Sequence, residues 1–371
     1  MKKNNSLFIC TKPYQYLIIN LIIKSFELKN NSLVILNHFS GAKNFYEKIK
    51  KAESWKDIYF INDTNIINKQ KKLSYIKKVI YYNKWNKIYN ELESFKKYDQ
   101  LFIAHDTVLV EYAFMRYFKK MDKNVFLYEE GVDNYKNINF KSNYLLKYIK
   151  KFSNLLNIPG DALGKSKFVD EIFLQNPEIA KNNLKSINKK IKKIPLSLDK
   201  LLNDESFIEH LNIIFDKMKD ITLDSDSETI NIFLGDPNIF KISQLKSLRN
   251  YFYNNINNES TLYIKQHPAE KKRYVMNLSN NDLYIPQNIP IEIFSSKMIK
   301  NNIKTLNVFS FGSTALINLY QLLKGNIKMN FYIFKTNDLK EEFNNAFKKN
   351  LELYDDFKIK YKIIYLRSKV N

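Results

Sequence analysis

The feature that most restricts this chain is a recurring order: a short apolar run, a polar turn, then a helical pattern. Leu7-Phe8-Ile9-Cys10 opens the series and is broken by Thr11-Lys12-Pro13 before the apolar helical stretch from Tyr14 to Ile23. Leu33 to Leu36 and Ile58 to Ile61 read as further strands, a long basic amphipathic helix is expected from about Leu73 to Phe95, and Leu101-Phe102-Ile103-Ala104 follows as a strand. Short, doubly buried strands alternating with helices imply parallel sheets flanked by helices, because parallel neighbours need a crossover connection. In such sheets ligands gather beyond the carboxyl ends of the strands. The residues that each strand runs into therefore carry the functional information.

In the first half two strand ends stand out. His105-Asp106-Thr107 follows Leu101 to Ala104 and precedes a helical run from Val108 to Phe118, so it is either an acceptor contact or a helix cap made by Asp106 or Thr107. Val125 to Tyr128 runs straight into Glu129-Glu130-Gly131. Adjacent carboxylates repel, which raises one pKa toward the range of a general base, although acidic residues at strand ends are also common without function. A helix is expected from Lys141 to Leu156, broken by Ile158-Pro159-Gly160, and Glu171 to Leu174 reads as the last strand of this half. The sequence turns Lys- and Asn-rich from about Ile179 to Leu198, and the interdomain connection is placed somewhere between Pro177 and Glu228. Asp224-Ser225-Asp226 within it matches the Asp-x-Asp pattern of metal-dependent transferases, but no apolar strand leads into it and it reads as solvated linker.

The second half repeats the pattern. Ile230 to Leu234 runs into Gly235-Asp236-Pro237-Asn238, a tight turn, with a helix from about Ile239 to Tyr253. Thr261 to Lys265 alternates as a strand and stops on Gln266-His267-Pro268, a basic, proline-fixed turn; a lone His-Pro also arises by chance. A polar stretch extends to Pro290-Ile291-Glu292. Leu306 to Ser310 ends in Phe311-Gly312-Ser313-Thr314-Ala315 and a helix to about Leu323, which sets free N–H groups, the helix dipole and two hydroxyls at one point. That is a ready phosphate site, or else simple capping by Ser313. Lys328 to Phe334 reads as a final strand, followed from about Asp338 by helix and a last apolar run.

The length of 371 residues suits two domains, each with its own core. The net charge of +22 admits nucleic-acid binding, attraction to an anionic membrane or acidic substrate, or a low-GC genome that over-uses Lys, Asn and Ile. The lysines are scattered and Asn and Ile are as conspicuous as Lys, which favours the third; no basic-aromatic nucleic-acid module is visible. Cys10 is the single cysteine, so neither a disulfide framework nor a Cys-based zinc site can form, and a reducing cytoplasm is expected. Lys2 and Lys3 precede apolar residues, but Lys12-Pro13 interrupts the run, no cleavage site follows, and no stretch approaches the roughly 20 apolar residues of a spanning helix.

Taken in order, Glu129-Glu130-Gly131, His267-Pro268 and Ser313-Thr314, each at an expected strand end, resemble the three short motifs of bacterial sialyltransferases: an acidic pair plus Gly, His-Pro, and Ser-Ser or Ser-Thr. The chain is most similar to the lipooligosaccharide and capsule sialyltransferases of glycosyltransferase family 52, through Phe8-Ile9-Cys10-Thr11-Lys12-Pro13-Tyr14-Gln15 and Ile232-Phe233-Leu234-Gly235-Asp236-Pro237 as well. The resemblance implies an α/β GT-B architecture, two Rossmann-like domains facing a central cleft. Residues 1–200 would form the acceptor side and 201–371 would hold the donor, CMP-sialic acid. It further implies that His267 meets the donor phosphate and assists departure of CMP, that Ser313 and Thr314 hold that phosphate, and that Glu292 binds the ribose hydroxyls. Lys265, Gly235, Asn238, Pro268 and Gly312 complete the donor site. Imidazolium, hydroxyls and a helix amino terminus stabilise the departing phosphate without a metal, so no cofactor is expected.

The acceptor hydroxyl needs a carboxylate base. The resemblance offers Asp236, before Pro237, or one of Glu129 and Glu130; Asn238 stands where the family places an Asp, and Asp236 is slightly favoured. The expected reaction is inverting transfer of sialic acid to a terminal sugar, often galactose, of a bacterial surface glycan, with transfer of a hexose from another nucleotide sugar and a nucleic-acid-binding protein as the competing readings. The expected partners are a nucleotide-sugar donor and a glycan acceptor, not nucleic acid. A cytoplasmic chain is expected, with basic helices such as Lys71 to Lys97 either resting on the anionic inner membrane or forming a plain solvated face. Linkage, acceptor, single or repeated addition, and a homodimer are left open.

Overall fold

The structure is a computed structural model and describes residues 5–64, 92–135, 163–183, 190–218, 220–223, 227–235, 242–256, 260–267, 282–336 and 341–366. The chain divides into two compact units, Met1–Leu201 and Leu202–Asn371.

The first unit is built on strands β1 (Ser6–Cys10), β2 (Asn31–Leu36), β3 (Ile58–Ile61), β4 (Gln100–Ile103), β5 (Asn124–Tyr128), β6 (Glu171–Leu174) and β7 (Lys190–Lys193). They form one sheet in the order β3-β2-β1-β4-β5-β6-β7, every pair parallel. Helices α1 (Pro13–Ser25), α2 (Ala42–Lys51), α3 (Leu109–Lys120), α4 (Pro177–Asn183) and α5 (Leu198–Leu202) belong to this part of the chain. Burial explains the order: β1 lies in the middle and every one of its residues is buried, whereas β3 at the edge is only half-buried. Pro13 starts α1 because its missing N–H and fixed φ suit the first helical position. Phe8 stacks on Phe102 with ring centroids 4.4 Å apart, and Phe102 meets Phe126 at 4.9 Å, so aromatic side chains tie β1, β4 and β5 on one face.

The second unit carries α6 (Glu205–Ile214), β8 (Thr229–Leu234), α7 (Ile242–Asn255), β9 (Leu262–Lys265), β10 (Asp282–Ile285), α8 (Ile291–Lys300), β11 (Thr305–Ser310), α9 (Ala315–Leu323), β12 (Lys328–Thr336), α10 (Glu341–Asp356) and β13 (Tyr361–Leu366). Its sheet runs β10-β9-β8-β11-β12-β13, again wholly parallel. Phe233, Phe252, Phe309 and Phe334 are buried together against α7. Each such ring contributes about 1.5–3 kcal/mol by leaving water.

Several expectations are corrected, mostly at sheet edges. Glu171 to Leu174 is not the last strand of its half: β7 follows it, inside the stretch expected to begin the connection. Its sequence, Lys-Ile-Lys-Lys, has no apolar run because an edge strand needs only one covered face and gains from lysine on the other. Lys192 pairs with Glu171 at 2.5 Å across that edge. The polar stretch before Pro290 likewise contains edge strand β10, with Leu283 and Tyr284 exposed. The strand beginning at Lys328 runs on to Thr336 and is not final, since β13 pairs beside it. Neither Asp106 nor Thr107 caps α3. Val108 holds the cap position without a side-chain bond, and the buried Asp106 carboxylate accepts the N–H groups of Gly164 and Ser166 at 3.1 and 2.9 Å. Residues 73–91 of the expected basic helix, the helix at 141–156, and Asp224-Ser225-Asp226 lie outside the described residues; at 93–97 the chain forms a 3-10 turn.

Candidate active site

Because β1, β4, β5 and β6 are adjacent and parallel, their carboxyl ends bring Lys12, His105, the Glu129-Glu130 pair and Gln175 to one edge of the first sheet. Two consecutive glutamates cannot share a role there, since successive side chains leave an extended strand on opposite sides. Glu129 turns inward. Its Oε2 accepts Tyr135 OH at 2.5 Å and the N–H of Gln175 at 2.8 Å, and its Oε1 accepts Gln175 Nε2 at 2.9 Å and Tyr14 OH at 3.2 Å. Burial raises its pKa and these hydrogen bonds hold it back; repulsion by Glu130, the expected cause, is not what shifts it. With four donors on two oxygens, Glu129 has no lone pair to spare for a substrate proton.

Glu130 differs. Its Oε1 pairs with the half-exposed ammonium of Lys12, and His105 Nε2 lies 3.5 Å away. Asn134 fixes the turn by accepting the Glu130 N–H at 2.7 Å. Glu130 is 6 % exposed, just beneath a cation that reaches solvent. Behind it stands Glu111 from the first turn of α3, wholly buried. Glu111 Oε1 accepts the N–H groups of Ala104 and His105 at 2.9 and 3.0 Å, fixing the turn that carries His105, while Oε2 has no hydrogen-bond partner among the described residues. Burial pushes the Glu111 carboxyl up to about 8, against those two N–H groups and with help from the charges of Glu130 and Asp106. Sequence reading passed over Glu111 and Lys12. The available signals were an isolated acid among the apolar residues of α3 and a lysine at the end of the first strand.

The second sheet places three expected motifs on three neighbouring strands. β9 ends in Gln266 and the exposed His267, β8 in Gly235, and β11 in the Gly312-Ser313-Thr314 turn. Gly235 N–H donates to Lys265 O at 2.9 Å, which carries the sheet pairing to the last residue before the turn. Lys265 is buried and its Nζ donates to the carbonyls of Gln266 and Gln287 at 3.1 and 2.9 Å. Gln287 Nε2 in turn donates to the His267 carbonyl at 2.5 Å, so one side chain braces the His-Pro turn. Glu292, in the first turn of α8, is buried and accepts Asn318 Nδ2 from α9 at 2.7 Å. Burial raises its pKa, while Asn318 and the nearby Lys265 charge oppose the rise.

At the amino end of α9 the simple capping alternative does not hold. Thr314 occupies the cap position without a side-chain bond, and Ser313 does not cap. Ser310 Oγ accepts the N–H groups of Gly312 and Ser313 at 3.1 and 3.3 Å, whereas Asn350 and Tyr354 of α10 donate to the Gly312 and Ser313 carbonyls at 2.6 and 2.8 Å. The carbonyls are thus turned toward α10. Thr314 and Ala315 keep N–H groups that no described residue accepts, at the positive end of the helix. Asp236, Asn238 and Pro268 lie outside the described residues.

The sequence profile described as Glycosyltransferase family 52 matches residues 61–338. No curated protein sequence matches the chain. Similar solved structures include CalG4, the calicheamicin glycosyltransferase, at TM-score 0.51 and 10% identity over 98% of this chain and 86% of that one. Arabidopsis thaliana UGT89C1 complexed with UDP-L-rhamnose gives TM-score 0.54 and 7% identity over 98% and 86%. The glycotransferase of kitacinnamycin gives 0.52 and 10% over 99% and 87%. Identities this low show shared architecture alone, and that architecture is the GT-B fold with its two parallel α/β units. The profile, by contrast, spans most of the sequence and both sheets, and the chain belongs to glycosyltransferase family 52.

Proposed function

We propose that this glycosyltransferase is an inverting, metal-independent sialyltransferase, moving sialic acid from CMP-sialic acid to a terminal sugar, galactose in the first instance, of a bacterial surface glycan such as lipooligosaccharide or capsule. The observation that carries the reading is the grouping of His267, Gly235 and the Gly312-Ser313-Thr314 turn on the adjacent ends of β9, β8 and β11. Departure of CMP leaves charge on a phosphate. Two N–H groups at the start of α9 that no described residue accepts, the hydroxyls of Ser313 and Thr314, and the imidazole of His267 are suited to receive it. Lys265 adds positive charge close to Glu292, which would orient ribose hydroxyls.

The second unit is then the donor side and the first the acceptor side. Glu130 is suited to act as the base: it lies at a strand end, close to the surface, beside a cation that favours its ionised form, with Glu129 occupied elsewhere. Asp236, one residue past Gly235, is the alternative carried by the donor side. No described helix is long and apolar enough to cross a membrane. We place the enzyme at the cytoplasmic face of the inner membrane, where its charge of +22 favours anionic lipid and lipid-linked acceptors are made.

The test is release of CMP from CMP-sialic acid in EDTA with a galactose-ended acceptor, for wild type, His267→Ala, Glu130→Gln and Asp236→Asn. Acceptor-dependent release that survives EDTA and is lost in His267→Ala supports the reading, and the more damaged acidic variant is the base. Consumption of a different nucleotide sugar, with CMP-sialic acid untouched, would replace sialic acid by another donor within the same family.

A further inference from the structure

The acceptor-side sheet carries a second polar constellation, at the far end of the same carboxyl edge. β2 and β3 pair in register through Leu36 and Ile61, so the residues that follow them face one another. Asn37 Nδ2 donates to Asn62 Oδ1 at 3.0 Å, and His38 Nε2 lies 2.7 Å from Asp63 Oδ2. Asp63 is sealed from solvent, while 15 % of the His38 side chain is exposed. A carboxylate only accepts, so it takes the Nε2 hydrogen and leaves Nδ1 as the ring nitrogen that can meet an outside partner. Nδ1 has no partner among the described residues.

This pair is not explained by packing. The second oxygen of Asp63, Oδ1, is buried without a hydrogen-bond partner among the described residues. A buried carboxylate kept for stability has both oxygens satisfied, because each lost partner costs about 1–3 kcal/mol. One kept to aim an imidazole needs only the oxygen that faces the ring. Next to His38 in sequence, Phe39 offers a half-buried ring that meets Phe45 edge-on at 5.6 Å, and a Cβ on Gly41, at φ +83°, would have no described atom within 4 Å. Amides, an oriented imidazole and a partly exposed aromatic ring suit a polyol, which presents hydroxyls on its rim and C–H groups on its face.

We infer that His38, oriented by Asp63, forms with Asn37, Asn62 and Phe39 a second acceptor subsite that takes a hydroxyl of an inner sugar of an oligosaccharide acceptor. The inference rests on the reading of the first unit as the acceptor side and is independent of which sugar is transferred. The end of β2 is three strand spacings from the end of β5, about 14 Å from the Glu130 turn. One pyranose does not cover that distance, so the subsite reads a sugar inward of the one that is modified.

The test is calorimetric titration of the full chain, without any donor, by a galactose-ended tetrasaccharide and by methyl galactoside. Wild type is expected to bind the tetrasaccharide more tightly than the monosaccharide. His38→Gln should weaken the tetrasaccharide about 5- to 10-fold, the value of one lost hydrogen bond, and leave the monosaccharide unchanged. Asp63→Asn, which lets His38 turn over, should follow in the same direction; if it lowers Tm, the partly exposed His38→Gln alone carries the test. No binding of the tetrasaccharide to wild type, an unchanged tetrasaccharide affinity in His38→Gln, or an equal loss for both ligands would overturn the inference. Failure of the sialic acid reading appears elsewhere, as absence of CMP release, and leaves this titration unaffected.

Discussion

Lys12 at the end of β1 and Glu130 at the end of β5 are 118 residues apart in sequence and form an ion pair on the carboxyl edge of the first sheet. Only β4 separates the two strands, and it contributes His105 at 3.5 Å from the same carboxylate oxygen. The sheet order therefore assembles a cation, a carboxylate and an imidazole from three turns that share no local sequence. If Glu130 takes the acceptor proton, Glu130→Gln lowers acceptor-dependent turnover by roughly 10²- to 10⁴-fold with little change in Tm. Lys12→Ala should cost less than about 1 kcal/mol of stability, since the lysine is half-exposed. Steady-state rates beside thermal melts check both; an active Glu130→Gln enzyme would move the base to Asp236.

The neighbouring glutamate should behave in the opposite way. Glu129 holds Tyr14, Tyr135 and Gln175 together through four hydrogen bonds in the interior. Glu129→Ala strands these donors and should destabilise the fold by about 3 kcal/mol or more, lowering Cm in urea before any specific effect on turnover. A Glu129→Ala protein that melts like wild type but is inactive would contradict this division.

That contrast marks where sequence reading stops. The central strands were legible because burial on both faces demands a continuous apolar run, as in Leu7-Phe8-Ile9-Cys10 or Ile230 to Leu234. Of the edge strands, β3 was legible through Ile58 to Ile61, β7 and β10 were not, because one wet face dilutes their apolar signal, and β13 was read only as an apolar run. At the site, the order of motifs along the chain was legible. The split within the Glu129-Glu130 pair was not, because it depends on partners such as Gln175 and Lys12 that only strand order brings near. His38 and Asp63, 25 residues apart, were invisible for the same reason.

Gly312 tests the turn proposed to hold the donor. Its φ of +104° is left-handed, and a Cβ there would stand 3.5 Å from Phe347 and 3.6 Å from Asn350, the residue that holds its carbonyl. Strain outweighs the modest crowding. Gly312→Ala should lower stability by about 1–2 kcal/mol and raise KM for the donor more than for the acceptor, because the turn presents the first N–H groups of α9. Equal effects on the two KM values would detach this turn from the donor.

Glu111 predicts a pH dependence whose sign is fixed by burial. Its carboxyl has an ordinary pKa of 4.5 and is pushed up to about 8 in the fold, so between those values the folded chain holds a proton that the unfolded chain has released. Stability from this group is complete below about pH 4.5, declines as pH rises, and is lost above about pH 8; the shift amounts to something on the order of 4 kcal/mol. The raised pKa values of Glu129 and Glu292 slope the same way. Glu111→Gln keeps an oxygen for the N–H groups of Ala104 and His105 and can never ionise, so urea denaturation from pH 5 to 9 should show a flatter decline. The variant should be the more stable protein at pH 9. A parallel decline in both proteins would mean that Glu111 is ionised in the fold across this range, leaving a second buried charge behind Glu130 and His105.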